Sequence, residues 1–85
     1  MSNKNTINLE YPIDVDGAKL KSITLRRPSV GDMRAAKKAG DGDDEVEIIL
    51  FANLAGLTPD DIGKLDLADY QKVQEVFRGF LGQGK

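Results

Sequence analysis

The residues able to do chemistry in this chain are mostly carboxylates. Asp41, Asp43, Asp44, Glu45 and Glu47 crowd one short stretch. Asp41, Asp43 and Glu45 alternate as calcium-loop ligands do. Such a loop closes on a bidentate Glu at its twelfth position, and here that position is Ala52. Acids gathered at a helix start, where backbone N–H groups point outward, account for the same residues without a metal. Asp60-Asp61 and the pair Asp66 and Asp69 are carboxylates at expected helix starts, with no accompanying base or nucleophile. The chain has no histidine and no cysteine. The commonest general base, the commonest metal ligand and all thiolate chemistry are therefore missing. Gly40-Asp41-Gly42 and Gly82-Gln83-Gly84 are Gly-x-Gly stretches, but neither follows a strand and opens a helix as a dinucleotide-binding turn does. The expectation is a protein that is not an enzyme, with no cofactor and no metal.

The bases gather elsewhere. Residues 1–38 hold eight Lys/Arg against four acids, a net of +4, and residues 39–85 hold four against ten, a net of −6. Lys19 and Lys21 share one face of an expected strand, and Arg26, Arg27, Arg34, Lys37 and Lys38 follow. A basic ribbon grips phosphates. Interleaved aromatics are missing, however, so a solvated face or an acidic protein partner fits better than nucleic acid. The same polarity can join two halves of one fold, or two copies head to tail.

What remains is apolar surface. From Asp44 to Leu57, Val46, Ile49, Leu50, Leu54 and Leu57 fall on one helical face. Ile48, Phe51, Ala52 and Ala55 fill most of the rest. A helix apolar all round is enclosed by its neighbours, so this one is expected to be the central post. Asn53 interrupts it. It is read as buried, either tied to a loop backbone or waiting in a groove for a partner's backbone. Further on, Leu67, Tyr70, Val73, Phe77, Phe80 and Leu81 recur at helical spacing, with Val76 on the flank. Three helices and a hairpin cannot cover every such face. Asn53, Tyr70, Val76, Phe77 and Phe80 are therefore candidate partner-binding residues of an exposed groove or patch, open to an amphipathic segment or a second copy.

The elements that position these residues read off in order. Eighty-five residues make one domain with a small core, and residues 1–5 and 82–85 are expected to be flexible ends. Alternation from Thr6 to Tyr11 predicts a strand ending near Pro12. Asp16-Gly17 supplies the positive φ of a tight hairpin, and a return strand runs from Lys19 to Arg26. An undistorted register sets Tyr11 against Ser22 and Leu9 against Thr24. One extra residue near Lys21-Ser22 is therefore expected, restoring Tyr11–Ile23 and Leu9–Leu25. Ser29 and Asp32 cap a helix over Val30–Ala39 that turns Val30, Met33 and Ala36 inward, with Gly40 as its C′ residue.

Asp44 is the expected N-cap of the central helix and Gly56 its end. Thr58, Pro59 and Asp61 open a one-turn element. Asp66 opens the last helix, in which Asp69, Lys72, Gln74, Glu75 and Arg78 mostly face water. Gly79 inside that helix serves either the close approach of a backbone or fraying. The fold expected is α+β: an N-terminal β-hairpin followed by a small bundle of three helices plus a one-turn helix. No apolar run reaches the ~20 residues of a membrane span, and the N-terminus lacks the apolar core of a signal peptide. A soluble cytoplasmic protein without membrane contact is expected.

Four motifs in order carry a resemblance. They are Ile23-Thr24-Leu25-Arg26-Arg27-Pro28-Ser29-Val30-Gly31-Asp32-Met33-Arg34-Ala35-Ala36, Leu54-Ala55-Gly56-Leu57-Thr58-Pro59-Asp60-Asp61-Ile62, Leu65-Asp66-Leu67-Ala68-Asp69-Tyr70 and Phe77-Arg78-Gly79-Phe80-Leu81. Over about Ile7 to Leu81 the chain resembles the tail assembly chaperones of long-tailed bacteriophages, the group named for proteins E, 41 or 14 of contractile-tailed phages.

The resemblance implies a non-enzymatic assembly factor of the bacterial host's cytoplasm, not expected in the mature virion. Its implied partners are the tape measure protein, which it shields before the tail tube polymerises, and the tail tube protein. Self-association is a further mode. Members of the family are often made in two lengths by ribosomal frameshifting, which adds a longer form of the protein as a partner. Gln83-Gly84-Lys85 permits slippery codons. The resemblance assigns no binding residues. Two other readings stay open: a small nucleic-acid-binding protein using the basic hairpin and first helix, and a minor structural subunit of the virion.

Overall fold

The computed structural model describes residues 5–82. The fold is α+β, as expected: a two-stranded antiparallel hairpin, then helices, one of them a single turn. The elements are β1 (Thr6–Val15), β2 (Ala18–Thr24), α1 (Val30–Ala39), α2 (Asp43–Ala55), α3 (Pro59–Gly63) and α4 (Leu67–Phe80). The ends expected to be flexible lie outside the described residues, apart from Asn5 and Gly82. Asn5 extends the hairpin, its carbonyl accepting the Leu25 N–H at 3.0 Å.

Val15 pairs with Ala18 across Asp16-Gly17, whose φ values of 53° and 81° are those of a two-residue hairpin turn. Ile13 pairs with Leu20, after which the ladder breaks and resumes at Asn8–Ser22 and Ile7–Ile23. A break was expected here, but on the other strand. The extra residues belong to β1, where Leu9, Glu10, Tyr11 and Pro12 stand against Lys21 alone. Tyr11–Ile23 and Leu9–Leu25 do not pair. Two causes act together. Pro12 has no N–H to give to a ladder. The N–H groups of Glu10 and Tyr11 turn instead to the Asp69 carboxylate on α4, at 3.0 Å each. Leu9 enters the core and Tyr11 is left in solvent.

The core gathers Ile7, Leu9, Ile13, Ile23 and Leu25 from the hairpin side, Leu50, Phe51, Ala52 and Leu54 from α2, and Ala36, Ile62 and Val73 from the other helices. Phe51 lies between the rings of Tyr70 and Phe77, with centroids 5.6 and 5.3 Å away and the planes tilted, a favourable aromatic geometry. The Arg26 N–H donates to the Leu54 carbonyl at 3.1 Å, tying the hairpin's exit to the end of α2. The central-post expectation therefore holds for the second half of α2, apart from the exposed Asn53. In the first half, Val46, Ile48 and Ile49 are only half-buried.

The caps follow the sequence at three of four helix starts. Ser29 and Asp32 exchange backbone-to-side-chain bonds at 3.2 and 2.8 Å, and Thr58 and Asp61 do the same at 3.1 and 3.3 Å. Asp66 caps α4 through the Ala68 N–H at 3.0 Å. The exception is α2. Its N-cap is Gly42, not Asp44, with no side-chain cap bond. The φ of +101° at Gly42 reverses the chain at once, so the helix begins at Asp43. Gly40 also differs from expectation, being extended at φ −101° rather than left-handed. Its missing side chain serves packing instead: a Cβ there would stand 3.0 Å from the Val46 nitrogen.

Candidate functional site

Helices α1, α2 and α4 leave an open groove of about 460 Å³ between them. It is lined by Val30 and Met33 of α1, Val46 and Leu50 of α2, and Phe77 with Leu81 at the end of α4; Pro28, Ser29, Asp43 and Glu47 complete it. Val30, Met33 and Leu81 remain 70%, 43% and 54% exposed, an apolar surface the fold does not cover. This corrects the inward placement of Val30 and Met33, since only Ala36 of α1 is buried. Gly40 brings the end of α1 close against Val46 and Ile49 of α2, while Val30 and Met33 at its start border the open groove.

The candidate residues scatter around this groove. Phe77 lines it, half-buried. Phe80, one turn on, is half-buried beneath the Arg27 guanidinium, which lies 5.5 Å above the ring and donates to the Phe80 carbonyl at 3.4 Å. Val76 is half-buried outside the lining. Tyr70 borders a smaller cleft of about 190 Å³ with Ile48, Ile62, Leu65 and Leu67. Asn53 is not buried at all: its position on α2 faces solvent. Leu67, expected in the apolar stripe, is exposed as well.

Hydrogen bonds fix one wall of the groove. Glu47 Oε1 accepts from the Tyr70 hydroxyl at 2.6 Å and from Gln74 Nε2 at 2.9 Å. Burial, and then the adjacent Glu47 carboxylate, hold the Tyr70 hydroxyl protonated well above its ordinary range. Asp69 departs most from expectation. It is fully buried, not solvated, because it receives the two β1 N–H groups and lies 3.5 Å from Lys72 Nζ. Lys72 also reaches Glu10 Oε1 at 3.4 Å, a surface pair in which the lysine still meets water.

The charged clusters separate in behaviour. Among the described residues, no ion pair engages Asp41, Asp43, Asp44, Glu45 or Glu47. Nor is any group of three or more carboxylates placed there to hold a metal ion. The basic set is partly neutralised. Lys19 pairs with Asp14 at 3.1 Å, and Arg26 grips Asp32 in two bonds of 2.7 and 2.9 Å. That grip, with the Ser29 N–H, holds the Asp32 carboxyl far below the usual carboxylate range. No described helix is long and apolar enough to cross a membrane.

The groove walls, the hairpin and their caps all come from one continuous span. Residues 6–82 match the family described as phage tail assembly chaperone proteins, E, or 41 or 14. The chain belongs to that family. Neither the curated proteins nor the solved structures gave a match. In this tail assembly chaperone every residue that lines the groove lies within that matched span.

Sequence reasoning reached Phe77 but missed Val30, Met33, Val46, Leu50 and Leu81 as lining. A signal was present. In Val30–Gly40 four of the five small residues, Ala35, Ala36, Ala39 and Gly40, fall in the second half, and Gly31 is in the first. Small residues mark where two helices close up, and large ones where they part.

Proposed function

We propose that this tail assembly chaperone is a non-enzymatic protein that binds the tape measure protein, with tail tube subunits as a second partner, in the cytoplasm of the host. The observation that carries this reading is the apolar groove between α1, α2 and α4, with Phe77 on its wall and Val76 and Phe80 beside it on α4. A long helical chain with apolar patches self-associates when left bare. A small domain with an uncovered groove shields such patches one segment at a time. Tyr70 takes a secondary part, at the smaller cleft on the other flank of α2.

The pairing of Lys19, Arg26 and Arg27 with groups of this same chain weakens the nucleic-acid alternative. The test is co-expression with the tape measure protein of the same phage. The tape measure should stay in the soluble fraction and copurify. Equal precipitation with and without the chaperone would overturn the reading.

A further inference from the structure

We propose that the groove takes an amphipathic α-helix whose apolar ridge is flanked by lysine or arginine. This deepens the tape measure reading and rests on it. The lining is apolar over Val30, Met33, Val46, Leu50, Phe77 and Leu81, so the occupant must bring apolar side chains. The ionisable residues of the lining, Asp43 and Glu47, are both acidic. Glu47 is held in place, because Tyr70 and Gln74 both bind its Oε1. Its other oxygen keeps its accepting capacity for a cation. Asp44 and Glu45 extend the same acidic first turn of α2, and no described base neutralises any of these carboxylates. An occupant with acidic flanks is repelled here, and one with basic flanks is drawn in.

The walls also select the occupant's backbone. No residue of β1 or β2 lines the groove, so an extended segment finds no ladder for its N–H and C=O groups. A helix satisfies its own.

The test is a titration of the isotope-labelled full chain with two synthetic helical peptides. Both carry leucines at i, i+3, i+4 and i+7, one flanked by lysines and the other by glutamates. Amide shifts should centre on Val30, Met33, Val46, Leu50 and Phe77. The lysine peptide should bind ~3–10-fold tighter at low salt, an advantage that shrinks as salt rises. Equal or tighter binding of the glutamate peptide, or shifts centred elsewhere, overturns the proposal.

Met33→Asp, at an exposed position, should abolish binding while the far-ultraviolet spectrum is kept. Glu47→Gln, which retains an acceptor for Tyr70, should reduce only the lysine preference. Co-expression separates this proposal from the chaperone reading. If Met33→Asp keeps the tape measure protein as soluble as wild type does, the groove assignment fails and the chaperone reading stands. If wild type itself leaves it insoluble, the chaperone reading fails. A concentration-dependent dimer that Met33→Asp dissolves would make a second copy the occupant and overturn the proposal.

Discussion

The Asp69 carboxylate sits where the β1 ladder fails, and it takes over the work of the missing strand partner. Desolvation favours its neutral form, but the Glu10 and Tyr11 N–H groups and Lys72 outweigh that and hold the carboxyl below its ordinary value. A depressed folded pKa contributes stability that is fully present above the unfolded value of ~3.9 and is lost as pH falls through the folded one. The thermal midpoint followed by circular dichroism should therefore fall below about pH 4. Asp69→Asn should lessen that fall, leaving the part due to Asp32 and Asp61, and weaken the fold by ~2 kcal/mol at neutral pH, because one amide oxygen replaces two acceptors. A variant with an unaltered pH profile would show that this carboxylate is not the latch. Asp69 was misread as solvated because it is charged. Its spacing pointed inward all along, four residues before the buried Val73 and so on the same helical face.

At the scale of elements, two glycines make opposite predictions. A Cβ on Gly40 meets backbone atoms of Val46 at 3.0 and 3.1 Å, so Gly40→Ala must push α1 off α2 and should cost ~1–2 kcal/mol. Gly79 lies inside α4 with nothing within 4 Å of an added Cβ, so Gly79→Ala should stabilise by ~0.5–1 kcal/mol. Urea midpoints of the two variants should move in opposite directions, and a shared direction would refute the packing account of Gly40. Elements were the most legible scale. Ser29 with Asp32, Thr58 with Asp61, and Asp66 each satisfy N–H groups only a few residues away, so sequence distance is enough to find them. Asn53 shows the opposite case. With apolar residues nearly all round α2, no period distinguishes the one face that meets water.

For the whole molecule, the order of elements was legible, but the face left uncovered was not. That face depends on how α1, α2 and α4 meet, and the period along any one helix does not specify this. The misplaced register break is partly of the same kind, because one of its two causes, Asp69, lies 58 and 59 residues downstream. This separation has a consequence for synthesis. During translation the hairpin emerges before α4, and its looped-out backbone finds no acceptor until α4 has also been made. A chain truncated before Asp69 should leave the Glu10 and Tyr11 amides exchanging with solvent at nearly the rate of an unstructured peptide, and their protection in that fragment would contradict the point. The bulge of β1 thus leaves the exit tunnel well before the carboxylate that completes it.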